Sequence, residues 1–279
     1  MERPRMNNVE QHIIPRGYLN AWADPALPTG RIGWIHVITK TDTTNTEFRS
    51  PKTYFREKDR YTTYSGKQRV LDAENRLAET EQRFGKVMCA LKAGQPINAG
   101  EQEYLTSFVA AMRARTKRFA ERAGTMARGL RFQGLRLVAT DAPVSALVEE
   151  AEDELRRINA DSVLIGSVEI AATLRSMSLT VFTTSEPSGF VTGDEPCCLC
   201  VPGAPSANFN DPNVELTLPL SPEHLAVYSR KEPAPMYERL DAERTANFNR
   251  RTISHCQDEF VSWRGVVLPE WFDRDRSGP

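Results

Sequence analysis

Two adjacent carboxylates, Asp194 and Glu195, stand where a buried strand is expected to end. The Phe-Val-Thr stretch shortly before them is typical of a strand, and Pro196 lacks the amide hydrogen that a sheet ladder requires. Groups at the end of a strand often bind ligands. The stretch 189–196 is therefore the first candidate for a chemical site.

Other regions of the chain carry charged side chains that could join this pair. His12 and Arg16 flank the start of a short helix predicted over residues 15–22. Glu81 lies on the otherwise apolar side of a predicted helix, where an unpaired carboxylate is very costly, so it needs a partner. Arg115 lies on the next predicted helix.

A metal-assisted hydrolytic site is one interpretation of this set. Glu81, Asp194 and Glu195 would hold Mg²⁺ or Mn²⁺ through oxygen ligands, which hard divalent cations prefer. His12 would act as the general acid or base, with Glu81 and Asp194 as the other catalytic groups. No spacing such as H-x-E-x-H or D-x-D marks the site in the sequence.

Phosphate chemistry would suit the arginines of the set. The guanidinium groups of Arg16 and Arg115 can orient and neutralise a phosphate, because they form paired hydrogen bonds with its oxygens. Carboxylates, a histidine and arginines together fit a phosphodiesterase or nuclease, and a toxin or defence effector is one role for such an enzyme.

A structural interpretation competes with the hydrolytic one. Glu81 would pair with Arg115 between adjacent helices, and His12 would be a hydrogen-bonded buried histidine. Asp194 would accept hydrogen bonds from backbone amides at a turn. The chain would then be a non-enzymatic ligand-binding or protein-interaction module, whose charged faces meet a protein partner.

A basic segment follows the second predicted helix stripe. Between Arg113 and Arg131 there are seven Lys or Arg residues against one Glu. Three of them, Arg115, Arg118 and Arg122, have helical spacing and could contact the phosphates of a nucleic acid. Alternatively the segment is a solvated helix face whose positive charge is balanced by the acidic residues of 149–154.

The composition is that of an ordinary globular protein. The chain has 279 residues, 40% of them apolar and 26% charged, with a formal net charge of −1. That charge gives no global attraction to nucleic acid or anionic membranes. No apolar run approaches the length needed to span a bilayer, and the polar N-terminus lacks a signal-peptide core. We therefore expect a cytoplasmic protein without a membrane partner.

The cysteines predict no disulfide framework, because their number, five, is odd. Three of them form a C-C-x-C cluster at residues 197–200, which is not the usual spacing of a zinc knuckle. In a strand, Cys198 and Cys200 share one face and Cys197 points to the other. We interpret the cysteines as buried and inert, as most free cysteines are.

The hydrophobic pattern predicts a single α+β domain with a helical middle packed on a mostly antiparallel sheet. Residues 1–8 and 273–279 are predicted to be flexible ends. The predicted helices cover 15–22, a segment from about 71 to 93, 98–123, two segments between 141 and 177, and 241–263. The predicted strands cover 32–39, 180–185 and 190–194 as a hairpin, 197–201, 214–220 and 224–229.

Local patterns in the chain resemble a large bacterial family of unknown function. The stretch Gln-His-Ile-Ile-Pro-Arg-Gly-Tyr-Leu at 11–19 is similar to the family's H-[YF]-[VI]-P-[RQ]-x-Y-L opening. The stretch Phe-Val-Thr-Gly-Asp-Glu-Pro at 190–196 is similar to its F-[IV]-T-S-D-x-P element, with Gly193 in place of the usual Ser.

The resemblance extends to single polar residues. Glu81 is similar to the family's helical glutamate, and Asn249 to an asparagine of its closing helix. Arg115 falls where the family often has R-[ST]-P, although Lys117 replaces the Pro. The resemblance implies a shared fold and a shared polar set, in which Asn249 joins Arg16 and Arg115 as a substrate-binding candidate. It implies no established activity.

Overall fold

The computed structural model of the chain describes residues 10–27, 30, 33–65, 68–122, 125, 144–204, 206–231 and 235–272. The predicted flexible ends, 1–8 and 273–279, lie outside these residues. The helices are α1 (Arg16–Leu19), α2 (Asp72–Lys92), α3 (Ala99–Arg115), α4 (Val144–Arg175) and α5 (Ala242–His255). Short 3₁₀ turns cover Asn20–Trp22, Trp263–Gly265 and Pro269–Trp271.

The strands form two larger sheets and two small ribbons. The strands are β1 (Glu10–His12), β2 (Ile35–Thr39), β3 (Asp42–Arg49), β4 (Arg56–Lys58), β5 (Thr63–Ser65), β6 (Gln68–Val70), β7 (Ser178–Thr183), β8 (Thr192–Gly193), β9 (Cys198–Cys200), β10 (Glu215–Ser221), β11 (His224–Ser229), β12 (Tyr237–Arg239) and β13 (Glu259–Ser262). One sheet has the strand order β12-β7-β11-β10-β9, the other has the order β3-β2-β13-β8, and the ribbons are β1-β4 and β5-β6. All neighbouring strands are antiparallel except β12 and β7.

The helical middle packs on the sheets through a shared apolar core. Phe84 of α2 and Phe108 of α3 stack with ring centroids 3.7 Å apart, and both are buried. Asn98 begins α3 with a capping box, in which its side chain and that of Glu101 bond each other's backbone amides. The opposite end of α3 lies beside the β1-β4 ribbon, where Arg115 donates to the His12 carbonyl.

The predicted α+β class is confirmed by this arrangement of helices and mostly antiparallel sheets. None of the helices in the described part of the chain is both long enough and apolar enough to cross a membrane.

Several predicted elements differ from the observed ones. The hairpin predicted over 180–194 is wrong: β7 belongs to the five-stranded sheet and β8 to the four-stranded sheet. The two segments predicted between 141 and 177 are a single helix over 144–175, and residues 141–143 lie outside the described residues. The closing helix ends at His255, and the last residues predicted as helix form β13 instead.

Two strands lie in surroundings that their residue types do not suggest. The polar segment 42–49, for which no strand was predicted, is the exposed edge strand β3. Strand β10 alternates apolar and polar residues, yet it is buried from Leu216 onward and lies between β9 and β11. Pro219 is tolerated there because β9 pairs only with residues 215–217, so no neighbouring strand needs its missing amide hydrogen.

Candidate functional site

The N-terminal motif and the later motif form one packed unit. The Tyr18 hydroxyl donates to the carbonyl of Pro219 and accepts from the Thr192 hydroxyl, both at 2.6 Å. The Trp22 indole donates to the carbonyl of Phe190 at 2.8 Å. Both aromatic rings are buried. These bonds therefore hold α1 and its 3₁₀ turn against residues 190–195, the segment that contains β8 and Asp194 and that we call the strand exit.

Asp194 caps the turn between α5 and β13. Its carboxylate accepts hydrogen bonds from the backbone amides of Gln257, Asp258 and Glu259 at 2.7 to 3.0 Å. Its own amide donates to the Glu259 carbonyl at 3.2 Å. The structural interpretation of this residue describes these contacts well.

Glu195 points the other way, toward the end of α3. Its Oε1 accepts from the backbone amide of Arg118 at 2.9 Å, at the start of a second helical segment over 117–122. A carboxylate at a helix start is favourable because of the helix dipole. Burial nevertheless raises the pKa of Glu195. The hydrogen bond from the Arg118 amide and the charge of Arg113 act in the opposite direction. Its Oε2 is buried and has no hydrogen-bond partner among the described residues.

Asn249 is buried and bonded to the backbone on both sides of its amide. Its Oδ1 accepts from the Val191 amide at 3.0 Å, and its Nδ2 donates to the Gly189 carbonyl at 2.8 Å. These bonds fasten α5 to the stretch that leads into the strand exit. The predicted substrate-binding residue therefore has its polar atoms turned to the backbone.

Gly193 is required by the packing of the strand exit. A Cβ at this position would lie 2.4 Å from the Cys256 sulfur and 2.6 Å from the Glu259 carbonyl oxygen. A serine at this position would therefore clash with the close approach of β8 to β13.

His12, Glu81 and Arg115 do come together. Arg115 Nη1 donates to Glu81 Oε1 and its Nη2 donates to the His12 carbonyl, both at 2.6 Å. The Arg115 side chain is only 5% exposed, whereas the Glu81 side chain is 31% exposed. The pair thus joins α2, α3 and β1. Arg16, by contrast, is exposed at the start of α1.

The His12 ring is half-buried and neutral at pH 7. Burial lowers its pKa, and the nearby charges of Arg56 and Arg115 lower it further, whereas the Pro51 carbonyl and Glu81 oppose the shift. Nε2 lies 3.3 Å from the Pro51 carbonyl oxygen. Because that oxygen can only accept, Nε2 carries the proton, and Nδ1 keeps a lone pair that can accept one.

A pocket of about 430 Å³ lies beside this cluster. It separates the β1-β4 ribbon from the turn that Asp194 caps. A pocket of about 470 Å³ near the β10–β11 turn is slightly larger, but it contains none of the predicted site residues. The smaller pocket is lined by Ile13, Thr53, Tyr54, Phe55, Arg56, Lys117, Asp194, Gln257, Asp258 and Glu259.

Two cations line the pocket. Arg56 pairs with His12 across the β1-β4 ladder, so the two side chains lie on the same face. Its Nε is buried and has no hydrogen-bond partner among the described residues. Lys117 is exposed, and its ammonium group lies 3.7 Å from Glu57.

The opposite wall supplies oxygen atoms. Asp258 is exposed at the turn. The Tyr54 hydroxyl donates to the Glu259 carboxylate, and burial together with this bond raises the pKa of Tyr54. The Tyr54 and Phe55 rings, with centroids 4.2 Å apart, add an apolar surface.

A second group of cations surrounds His255. Burial lowers the pKa of His255 to about 3, and the charges of Arg113, Arg118, Arg122 and Lys40 contribute. Arg113 Nη1 lies 3.3 Å from His255 Nε2 and 3.2 Å from the Cys197 carbonyl oxygen. Since Arg115 is buried against Glu81, only part of the predicted basic ridge faces outward. Residues 126–131 lie outside the described residues.

The predicted metal ligands are engaged in other contacts. The Asp194 carboxylate is bonded to backbone amides, Glu195 is buried at a helix start, and Glu81 is paired with Arg115. Within the described residues, no three His, Cys, Asp or Glu side chains are placed to hold a metal together. The prediction of Mg²⁺ or Mn²⁺ thus has no support from the donor set and stays a prediction.

Of the residues that line the pocket, sequence reasoning proposed only Asp194 as a site residue. Arg56 and Tyr54 stand in a segment without clear periodicity, and Lys117 was noted only as a departure from a motif. Arg56 reaches the pocket because β4 pairs with β1. The sequence alone does not reveal this pairing.

The comparisons with known proteins give a family but no activity. No curated protein and no solved structure matches the chain. Residues 10–264 match the family described as "Protein of unknown function (DUF4238)". This range includes both motifs and every predicted site residue, so the chain belongs to that family.

Proposed function

We propose that the protein binds a phosphate ester of about nucleotide size in the pocket between the β1-β4 ribbon and the turn after α5. The volume of about 430 Å³ falls within the range of ligand pockets, roughly 300 to 1,000 Å³. Arg56 and Lys117 bring positive charge to one wall of this pocket.

The observation that carries the proposal is the buried Nε of Arg56, which has no hydrogen-bond partner among the described residues. An unmade hydrogen bond of a buried polar group costs about 1 to 3 kcal/mol. A phosphate oxygen in the pocket would remove that cost, because an arginine binds phosphate with paired, charge-assisted hydrogen bonds.

The remaining lining suits the rest of such a ligand. The rings of Tyr54 and Phe55 offer a surface on which a flat base could stack, a contact worth about 1 to 3 kcal/mol per base. Asp258 offers acceptor oxygens for hydroxyl or amino groups. Cations, aromatic rings and a carboxylate in one pocket favour a nucleotide over a bare anion.

The cations around His255 add to the positive potential near the pocket. One of them, Arg118, follows the pocket residue Lys117 directly in the chain. A region with one sign of charge raises the local concentration of an oppositely charged ligand.

Hydrolysis of the bound ester is a second candidate, favoured by the neutral His12. Its Nδ1 can accept a proton, and the ring lies beside Arg56 on the same face of the ribbon. A histidine in this state can serve as a general base if a substrate oxygen lies within reach. The test is phosphate release from the bound ester, which His12→Gln should abolish while ligand binding persists.

The earlier prediction of Mg²⁺ or Mn²⁺ has its own test. Each ion would raise the melting temperature if it bound the native state. The rise should then disappear in Asp194→Ala, compared with and without metal in each variant. A melting temperature of the wild type that does not respond to either ion would contradict the metal prediction.

Calorimetric titration with adenosine monophosphate, adenosine and inorganic phosphate tests the proposed binding. We expect adenosine monophosphate to bind, adenosine to bind at least tenfold more weakly, and the affinity to fall as salt is added. Arg56→Gln should lower the affinity at least tenfold. Arg83→Gln, which changes an exposed arginine on α2 paired with Glu79, is the matched control and should bind normally.

Equal affinity for adenosine and adenosine monophosphate would overturn the proposal, as would unchanged binding in Arg56→Gln. Absence of binding by all three probes in the folded wild type would also overturn it. A protein-interaction role would then become the better interpretation.

A further inference from the structure

A second group of reactive side chains lies on the face of the five-stranded sheet that meets α5. Cys198 and Cys200 stand two residues apart on β9, so their side chains point to the same face. Cys197 points to the opposite face, where its sulfur lies 3.8 Å from the Val109 carbonyl oxygen. Cys198 is buried and Cys200 is half-buried. The interpretation of all five cysteines as buried is wrong for Cys200 and for Cys89, which is exposed.

The two thiols contact each other and a cation from α5. The Cys198 thiol is hydrogen-bonded to the Cys200 sulfur. Arg251 Nη1 lies 3.9 Å from the Cys200 sulfur and donates to Glu215 Oε2 at 2.8 Å. Glu215 is the neighbour of Cys200 across the β9-β10 ladder.

These contacts make the two thiols chemically different. The hydrogen bond from Cys198 lowers the pKa of Cys200, and the Arg251 charge adds to this effect, against burial and the Glu215 charge. The same hydrogen bond and burial raise the pKa of Cys198. Of the two thiols, Cys200 is therefore the one that loses its proton more readily. Thiolates are the reactive form of cysteine.

We propose that Cys200 and Cys198 form a peroxide-sensitive redox pair. The Cys200 thiolate attacks the terminal oxygen of a hydroperoxide, the O–O bond breaks, and the leaving oxygen takes a proton from solvent to leave as an alcohol or water. Cys200 becomes a sulfenic acid. The Cys198 thiol then attacks the Cys200 sulfur, the S–O bond breaks, and the hydroxide leaves as water with the Cys198 proton. The product is a Cys198–Cys200 disulfide.

The position of the pair favours a reversible bond. Two residues along a strand place the Cα atoms roughly 6.6 Å apart, near the upper end of the range for disulfides, about 4.4 to 6.8 Å. A bond formed at that limit is strained and easily reduced. Strand β9 is the edge of its sheet and pairs only with β10, so it can bend without breaking a second ladder.

Oxidation would change a charged surface next to the pair. Arg251 and Glu215 both line a groove of about 360 Å³ between the sheet and α5. In the disulfide, Cys200 can no longer carry a negative charge beside Arg251, and the Glu215 carboxylate remains bonded to that arginine. The redox state would thus alter the charge balance at this groove.

The test exposes the reduced full-length protein to increasing hydrogen peroxide and follows each cysteine by mass spectrometry of its peptide. Exposure alone would make Cys89 react first, because it is the exposed cysteine on α2. The proposal predicts the opposite order: the peptide with residues 198–200 loses two hydrogens before Cys89 is oxidised. Mild reductant should restore both thiols.

Four variants separate the steps. Cys198→Ser should stop the reaction at a sulfenic acid that dimedone traps on Cys200, and Cys200→Ser should prevent oxidation of Cys198. Arg251→Gln should slow the reaction about tenfold, whereas Glu215→Gln should speed it, since both changes alter the charge beside Cys200. Cys89→Ser is the control and should leave the rate at residues 198–200 unchanged.

Two results would overturn the redox pair. One is oxidation of Cys89 before Cys200 in the folded wild-type protein, which needs no variant to fold. The other is equal reaction rates of Cys200 in the wild type, Arg251→Gln and Glu215→Gln.

Discussion

The strand exit at Asp194 and the pocket wall at Arg56 face each other, but their polar groups are used differently. The Asp194 carboxylate accepts three backbone hydrogen bonds and holds the α5–β13 turn. Arg56 has a buried Nε with no hydrogen-bond partner among the described residues. The first arrangement stabilises the native chain, and the second leaves a buried donor without a partner among the described residues.

The difference shows how to weigh residues that belong to a motif. Tyr18, Thr192, Asp194 and Asn249 all stand in or near the patterns that carry the family resemblance, yet their polar atoms bond to one another or to the backbone. A motif can therefore mark a structural joint. The pocket residues next to that joint are the better candidates for binding.

Asp194→Ala should give the largest loss of stability. The change leaves three amides of the α5–β13 turn without their charged acceptor, and hydrogen bonds to charged groups contribute about 1.5 to 3 kcal/mol each. We expect the free energy of unfolding to fall by about 3 kcal/mol, because water can reach part of the turn. Urea denaturation measures it.

The matched control for this change is Asp258→Ala in the same turn. Its exposed carboxylate should contribute within about 0.5 kcal/mol. Similar losses in the two variants would show that the capping bonds of Asp194 do not hold the turn, and the contrast with Arg56 would lose its basis.

Asn249→Ala should give the next largest loss. It leaves the Val191 amide and the Gly189 carbonyl unpaired in the core, at about 1 to 3 kcal/mol for each such group. We expect a loss of about 2 kcal/mol in the free energy of unfolding by urea denaturation. Asn247→Ala, two residues earlier on α5, removes only a bond to the Arg250 side chain and is the control. If ligand affinity also fell in folded Asn249→Ala, the residue would have a binding role after all.

The sequence predicted much of the fold because local patterns decide most of it. The apolar stripes of α2 and α3 and the capping box at Asn98 are local signals, and the elements form close to where they were expected. The pairing of strands is not local. Thr192 follows β7 closely in sequence, but it pairs with Val261 of β13 in the other sheet and donates to the Tyr18 hydroxyl.

The candidate site was predictable only in part for the same reason. A charged residue on an apolar helix face must find a partner, so the Glu81–Arg115 pair could be foreseen as the structural alternative. Nothing in the spacing of Arg56 and Lys117 indicates that a ribbon and the end of α3 bring them to one pocket. Long-range packing creates that site.

Acid should weaken the protein through His255. In the unfolded chain a histidine binds a proton near pH 6.5, whereas in the native state His255 does so only near pH 3. Between these values the unfolded state holds more protons, so stability falls as the pH falls, by up to about 1.4 kcal/mol per pH unit.

Urea midpoints measured from pH 7 to pH 4 in the wild type and in His255→Gln would show this contribution as the difference between the two slopes. Arg122→Gln removes one of the surrounding charges and should give a shallower slope than the wild type. Parallel curves for the wild type and His255→Gln would mean that the cations do not act on this histidine. The positive region around His255 would then no longer support anion binding.

Arg56→Met should have the smallest effect on stability and the opposite sign. Methionine keeps the aliphatic stem of the side chain and removes the buried Nε, whose missing hydrogen bond is a cost to the native state. We expect a gain of about 0.5 kcal/mol in the free energy of unfolding, together with at least a tenfold loss of affinity for adenosine monophosphate. Such a trade of stability for binding is expected of a residue kept for its ligand, and a loss above about 1 kcal/mol would instead place Arg56 with Asp194 among the groups that hold the fold.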